Sequence, residues 1–164
     1  LREIGIERVR NYSQNFGFRL EELNSDLSLA FGTDIAGGTS LSPFATMKSA
    51  YQIAQLQGYS ISPEEAFYTA TLGGAKAMKL DDKIGRIAIG YEADLVVIDL
   101  KSTPMIENRI NRAENLGDLL FAQIVLADDR AIRATYAAGN LVYDRRVLQT
   151  QLKGSPCPPE IRVK

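Results

Sequence analysis

The segment DLSLAFGTD, residues 26–34, carries the strongest indication of the fold. Its apolar run, residues 26–31, shows no clean alternation, which is typical of a parallel strand that is covered on both faces. Gly32 and Thr33 end this run, and Asp34 follows directly. A residue in that place lies at the carboxyl end of the strand, where the active sites of α/β barrels are found. The segment therefore predicts a buried strand followed by a candidate functional carboxylate.

Asp34 and the loop after it have two interpretations each. A carboxylate at a strand end can ligate a divalent metal or accept a proton from metal-bound water. Aspartate also closes turns through its own backbone, and the spacing alone favours this second role. The glycines of Gly37, Gly38, Thr39 and Ser40 would let backbone N–H groups approach an anion, although the loop lacks the lysine of a phosphate-binding P-loop. An ordinary surface loop explains the same residues.

Two helices are predicted immediately after this loop. Apolar residues at helical spacing predict the first over residues 44–57, with Gly58 as its stop. Ser62 has the character of an N-cap, with Pro63 at the first helical position and Glu65 completing a capping box. We therefore expect a second helix to begin at residue 63.

Three further helical segments are expected from weaker signals. The two glycines at 73–74 should interrupt the second helix, and a separate short helix should follow over residues 75–80. Apolar residues recur at helical spacing again over residues 116–127. Near the start of the chain, leucines and phenylalanines suggest a short helix over residues 19–24.

In the second half of the chain, the spacing of apolar residues changes from that of helices to that of strands. Residues 93–99 predict a strand, and the polar residues 101–111 predict a loop. Residues 132–136 and 141–143 predict a β-hairpin whose primed turn is Gly139-Asn140, because both residues tolerate positive φ. The order of elements is one parallel-type strand, then helices, then short antiparallel strands, which indicates an α/β fold.

Composition excludes several classes of protein and of mechanism. The chain has 164 residues, a formal net charge of −1 and no histidine. The balanced charge gives no support to a nucleic-acid partner or an anionic membrane surface, and no apolar run has the length of a membrane span. Cys157 is the only cysteine and stands in a Pro-rich tail, which excludes an internal disulfide. The missing histidines exclude a self-contained Ser-His or Cys-His mechanism and a histidine-ligated metal.

Several segments of the chain resemble, in register, the guanine deaminases of the amidohydrolase superfamily. The matching segments are FGTDIAGGTSLS (31–42), MKSAYQIAQLQG (47–58), EAFYTATLGGAKAMKL (65–80), GYEADLVVID (90–99) and LADDR (126–130). The segment at 90–99 is common to the superfamily, whereas those at 31–42 and 126–130 indicate guanine deaminases in particular. The resemblance covers about residues 27–145.

The resemblance implies the fold and its division along the chain. It indicates the C-terminal end of a (β/α)8 metal-dependent hydrolase barrel together with part of a small β-sandwich domain. Residues 1–80 would be the last barrel strand and the helices after it. Residues 81–150 would be the C-terminal part of the sandwich with one helix, and residues 151–164 would form the Pro-rich tail.

The resemblance also implies a chemistry. Members of this family bind one zinc ion through histidines on earlier strands and an aspartate at the end of the eighth strand, which Asp34 matches. Asp34 would then be both metal ligand and catalytic residue, helping to deprotonate the water that attacks guanine, with xanthine and ammonia as products. Gly37, Gly38, Thr39 and Ser40 would form the loop beside the substrate.

The absence of histidine leads to expectations about the chain by itself. We expect a C-terminal fragment of a zinc enzyme that neither holds zinc nor turns over its purine substrate alone. We expect it to be completed by an N-terminal portion or to form a homo-oligomer, and to be cytoplasmic without nucleic-acid or membrane partners. Two alternatives stay open: another deaminase or chlorohydrolase of the same superfamily, and a non-catalytic structural or self-association module.

Overall fold

The computed structural model describes residues 29–34 and 37–147. The helix predicted over residues 19–24 and the tail with Cys157 lie outside these residues. Of the strand predicted over 26–31, the part from residue 29 is described, and it has no regular secondary structure. The prediction is therefore wrong for residues 29–31. A strand exists through its ladder of hydrogen bonds, and no described segment pairs with these residues.

The first helix, α1, runs over Pro43–Leu56, close to the predicted range. It ends in a Schellman motif, in which the Tyr59 N–H donates to the Ala54 carbonyl and the Gly58 N–H to the Gln55 carbonyl. This ending requires a left-handed residue, and Gly58 supplies it with a φ of 78°. The glycine stop inferred from the sequence is confirmed.

The second helix, α2, runs over Pro63–Ala70 and begins as predicted. The Ser62 hydroxyl accepts from the Glu65 N–H at 3.1 Å, while the Glu65 carboxylate accepts from the Ser62 N–H at 2.8 Å. Each group satisfies a donor that the start of a helix would otherwise leave without a partner. The capping box is therefore present in full.

The third helix, α3, spans Leu72–Ala77, and the glycines at 73–74 lie inside it rather than interrupting it. The break lies at Thr71, whose φ of −124° and ψ of −99° are not helical. Both glycines are buried, and a Cβ at Gly73 would lie 2.9 Å from the Tyr68 carbonyl oxygen. The glycines thus allow close packing of α3 on α2, which is why they do not end the helix.

The segment predicted as a loop over 101–111 contains a helix, α4, over Pro104–Ile110. The Thr103 hydroxyl caps it by accepting from the Ile106 N–H, and the Ile106 side chain is fully buried. The prediction failed because this helix is short and carries a single buried apolar residue instead of a stripe. The next helix, α5, runs over Leu116–Leu126 in agreement with the sequence, and Asn115 caps it.

Three antiparallel strands form one sheet in the order β1-β2-β3. They are β1 Leu95–Ile98, β2 Ile132–Ala137 and β3 Asn140–Asp144, with a short 3₁₀ helix at Asp129–Ala131 before β2. Val96 pairs with Thr135, and Thr135 pairs with Tyr143. The antiparallel hairpin of the sequence is confirmed.

The hairpin turn lies one residue earlier than predicted. Ala137 pairs with Asn140, so the turn residues are Ala138 and Gly139, with φ values of 48° and 78°. Asn140 belongs to β3 instead. The Ala138 N–H donates to the Asp94 carboxylate at 2.7 Å, and the Gly139 N–H donates to the Ala93 carbonyl. These bonds tie the turn to the residues before β1, which explains how alanine adopts a conformation it disfavours.

The core is formed where helices and sheet meet. Phe44, Met47 and Ala50 of α1 pack with Ala66 of α2 and Ile124 of α5, and Ile98 and Ile132 of the sheet lie against this cluster. Helices and strands thus share one hydrophobic core, as expected of an α/β protein. The division of the chain near residue 80 stays a prediction, although α5 packs on both α1 and α2 from beyond it.

Candidate functional site

The backbone of Asp34 forms a tight turn at the end of residues 29–34. Its φ of 49° lies in the left-handed region, which aspartate tolerates better than most residues. Its carbonyl oxygen accepts from the N–H groups of Gly37 at 2.9 Å and Gly38 at 2.5 Å. The turn interpretation of Asp34 is therefore borne out for its backbone, while its carboxylate takes no part in these two bonds.

Gly37 and Gly38 are needed because other atoms approach them closely. A Cβ on Gly37 would lie 2.8 Å from Oδ2 of Asp34, so the carboxylate lies directly over this glycine. A Cβ on Gly38 would collide with the carbonyl oxygen of Thr33. The two glycines let the chain fold back on itself, and the Asp34 carboxylate occupies the space that a side chain at Gly37 would fill.

A small pocket lies between this turn and the start of α1. Its polar lining consists of five hydroxyl side chains: Thr33, Thr39, Ser40, Thr46 and Ser49. Gly32, Gly38 and Ala45 complete the lining, which contains no titratable group. The pocket can therefore donate and accept hydrogen bonds, and its lining supplies no side-chain base.

The predicted site residues divide between two places. Gly38, Thr39 and Ser40 line the pocket, whereas Asp34 and Gly37 form the turn beside it. The loop interpretation of the sequence missed the pocket residues on α1, Ala45, Thr46 and Ser49. Their signal was the polar pair at positions 46 and 49, three residues apart and hence on one face of a helix. The sequence analysis followed only the apolar stripe of that helix.

The metal prediction can be tested on the donor groups that the structure describes. Residues 29–34 and 37–147 contain no group of three or more acidic, cysteine or histidine residues that could hold a metal ion. A zinc site in a hydrolase uses about three protein ligands and an open position. The described residues, with Asp34 as the predicted ligand, do not form such a site by themselves.

One ion pair joins two ends of the sheet, away from the pocket. Arg145 donates to the Asp99 carboxylate at 2.6 Å and also to the Arg130 carbonyl. The Arg145 hydrogen bond, helped by the Lys101 N–H, holds the pKa of Asp99 below its ordinary value. This pair fastens the end of β3 to the end of β1.

A second ion pair lies in the LADDR segment. The Asp128 carboxylate accepts from the Arg130 side chain at 2.6 Å and from the Arg130 N–H at 3.0 Å. The Arg130 side chain is the main cause that lowers the pKa of Asp128. Asp128 therefore caps the 3₁₀ helix.

None of the helices in the described part of the chain combines the length and apolar character that a transmembrane span requires.

Comparison with known proteins adds to this geometry. A model of the amidohydrolase family matches residues 3–142. The guanine deaminase of Escherichia coli K12 is 47% identical over 119 residues, which cover 73% of this chain and 27% of that enzyme. The chain thus spans about a quarter of the length of this relative.

Solved structures show the same similarity in three dimensions. The E. coli guanine deaminase superposes with a TM-score of 0.71, over 73% of this chain and 28% of that one, at 47% identity. A guanine deaminase from C. acetobutylicum, solved with guanine bound in the active site, has a TM-score of 0.56 and 30% identity over 71% of this chain and 27% of that one.

Proposed function

The chain belongs to the amidohydrolase family, and from that premise we propose that it forms part of a guanine deaminase. The reaction would convert guanine and water into xanthine and ammonia. The observation that carries this proposal is the similarity to the E. coli guanine deaminase, which extends to both sequence and structure. The C. acetobutylicum enzyme with bound guanine supports a purine substrate.

Asp34 is the residue of this chain that we propose to act in the reaction. Its carboxylate lies over Gly37, and its carbonyl oxygen accepts hydrogen bonds from the N–H groups of Gly37 and Gly38. A carboxylate held in this way can serve as a base or as one ligand of a metal ion. The described residues offer no complete zinc site, and the chain has no histidine, so the remaining ligands of the proposed zinc must come from other parts of the enzyme.

The first experiment compares the chain alone with the chain plus the N-terminal portion of a guanine deaminase. Each sample is analysed for zinc by elemental analysis, and guanine loss is followed by its absorbance. We expect neither zinc nor turnover with the chain alone, and both when the histidine-bearing portion is supplied. Stoichiometric zinc and turnover with the chain alone would overturn the proposed division of the site.

The second experiment tests Asp34 in the active assembly. Asp34→Asn keeps the size of the side chain and removes its charge and basicity, so turnover should fall by about 10²-fold or more. Asp82→Asn, in the turn after α3, is the matched control and should keep turnover unchanged, because Asp82 is exposed. Retained turnover in Asp34→Asn with zinc still bound would leave Asp34 as a turn residue.

The same assembly distinguishes the rival activities within the family. Guanine, an aminopyrimidine and a chlorinated heterocycle are offered as substrates at equal concentration. Guanine deamination should exceed the other reactions by orders of magnitude. Preferential loss of chloride, or deamination of the pyrimidine, would replace guanine deaminase with another member of the family.

Self-association of the chain is the second candidate function, and exposed apolar residues favour it. Ile87 and Ile89 are 87% and 105% exposed, and Val96 and Val97 are exposed on β1, which is an edge strand of the sheet formed by the described residues. Such surfaces and edges promote association. Light scattering on the isolated chain should therefore report a dimer or larger species, and addition of the N-terminal portion should convert it to the mixed assembly. A monomer across the concentration range would exclude self-association.

A further inference from the structure

We propose that one buried water molecule joins α5 to the turn between β1 and α4, by bridging the side chains of Gln123 and Ser102. The proposal does not depend on the proposed deaminase activity. Three observations on the described residues support it: two buried side-chain oxygens without a partner, the turn that brings their segments together, and the absence of a free charge in that turn.

Gln123 is a buried polar residue in an apolar stretch of α5. It is 1% exposed, and its neighbours Ala122 and Ile124 are buried with it. Its Oε1 has no hydrogen-bond partner among the residues that the structure describes. Buried polar atoms are nearly always paired, because an unpaired atom loses its hydration without compensation. The partner must be a donor, since an amide oxygen can only accept.

Ser102 carries a second buried oxygen of the same kind. Its Oγ is shielded from solvent and also has no partner in the described part of the chain. Nε2 of Gln123 donates to the Leu100 carbonyl at 3.5 Å, so the Gln123 amide lies against the turn that contains Ser102. The Lys101 N–H donates to the Asp99 carboxylate at 3.0 Å and holds this turn together. The two oxygens therefore belong to segments in contact, although they do not bond each other directly.

Water is the small molecule that suits both oxygens. It can donate to Oε1 of Gln123 and form a second hydrogen bond with the Ser102 hydroxyl, which donates or accepts. The Leu100 carbonyl has a second lone pair for a third bond, and buried waters typically make about three. A cation would be costly here, because the Asp99 carboxylate of this turn is already paired with Arg145. The bridge would hold the start of α4 against α5.

The first experiment compares the thermal unfolding of the 164-residue chain with that of its Ser102→Ala variant. The Ser102 hydroxyl bonds no described residue, so the direction of the change is decisive. Loss of a bridged hydroxyl should lower the melting temperature by about 2–4 °C, as expected of one hydrogen bond in a chain of this size. Removal of a hydroxyl without any partner would raise it. An unchanged or raised melting temperature would overturn the proposal.

A double-mutant cycle tests whether the two oxygens share one partner. Gln123→Met keeps a similar side-chain volume and removes the amide, including its bond to Leu100. In this background Ser102→Ala should lower the melting temperature much less than in the wild type, because the bridge is already lost. Equal effects in the two backgrounds would show that the oxygens are not linked. If Gln123→Met does not fold, the direction of the Ser102→Ala change still decides the matter.

A matched control and a direct observation complete the test. Ser60→Ala, in the exposed segment between α1 and α2, should have the same small effect with and without Gln123→Met. A crystal structure of the chain should show one water within about 2.5–3.2 Å of both Gln123 Oε1 and Ser102 Oγ. A direct bond between the two side chains, or no density between them, would overturn the proposal. Sodium, potassium and calcium chlorides are compared at constant ionic strength, and a stabilisation by one cation that Ser102→Ala abolishes would replace the water with that ion.

Discussion

Two helices of this chain begin with the same Ser-Pro dipeptide, and they begin in different ways. At the start of α2, Ser62 and Glu65 exchange hydrogen bonds and satisfy each other's N–H groups. At the start of α1, Ser42 has an extended backbone as Ser62 does, yet its side chain caps nothing. The residue at the third helical position is Glu65 in α2 and Ala45 in α1. One helix start is thus capped by its own side chains, and the other has no side-chain cap.

The comparison extends to the regions around each helix. After α2, side chains satisfy backbone groups at several turns: Thr103 and Asn115 cap helices, and Asp94 accepts from the hairpin turn. In the region from Thr33 to Ser49, hydroxyls face a pocket instead. The following changes should therefore affect the two regions differently.

The largest effect on stability is expected from Gly38→Ala, in the loop beside the pocket. The new Cβ would collide with the Thr33 carbonyl oxygen, so the backbone of the loop has to move. Overpacking of this kind costs about 1–3 kcal/mol, and we expect the upper half of that range because the obstacle is backbone. Chemical denaturation measures the loss. Gly32→Ala is the control, since no atom of the described residues lies within 4 Å of its new Cβ, and it should change stability by less than about 0.5 kcal/mol.

The next effect compares the two serines directly. Ser62→Ala removes a cap hydrogen bond and should cost about 1 kcal/mol of unfolding free energy. Ser42→Ala removes a hydroxyl that caps nothing and should cost no more than a few tenths of that amount. Both variants are measured by chemical denaturation in the same buffer. Equal losses at the two sites would show that the helix starts do not differ as the structure indicates.

These two helix starts also show how far the sequence could predict the fold. The capping box at Ser62 and the glycine stop at Gly58 were readable because each depends on residues within one turn of the chain. The break at Thr71 was not readable, because the buried glycines of α3 fit a helix packed against Tyr68, which is a tertiary contact. The same holds for α4, whose Thr103-Pro104 start was a usable signal but whose single buried residue, Ile106, gave no periodicity.

The candidate site was predicted only in part for a similar reason. The Asp34 loop followed from its glycines and its place after an apolar run. Thr46 and Ser49 were missed because their role depends on a loop that folds back against α1, and no local pattern encodes that contact. The strand predicted before Asp34 fails in the described residues because strands need neighbours, and sequence shows only the propensity to pair.

A smaller effect concerns the ion pair between Arg145 and Asp99, in the part of the chain after α2. Because Arg145 lowers the pKa of Asp99, the pair stabilises the fold fully above the ordinary aspartate pKa, near 4. This stability is lost as the pH falls through the lower folded pKa. The two side chains are 22% and 31% exposed, so we expect a loss below about 1 kcal/mol.

Arg145→Gln tests this pH dependence. It should lower stability at neutral pH and make the acid side of the stability profile less steep, because Asp99 would then titrate near its unfolded value. Arg112→Gln, an exposed arginine in the turn after α4, should leave the steepness unchanged. A profile for Arg145→Gln that runs parallel to the wild type down to pH 3 would contradict the assignment.

The smallest effect on stability is expected at the hairpin turn. Ala138 adopts a φ of 48°, and its N–H donates to the Asp94 carboxylate, so a side chain here holds strained backbone in place. Asparagine tolerates this region better than alanine does, so Ala138→Asn should raise stability by about 0.5 kcal/mol. Ala137→Asn, at the neighbouring strand position, should give no gain, because that residue lacks the positive φ. In the Asp94→Ala background the benefit of Ala138→Asn should grow, since the strained turn then loses the acceptor that compensates it. Unchanged stability in both backgrounds would mean that the turn carries no strain at Ala138. The Asp94 carboxylate would then not be needed to hold the turn in place.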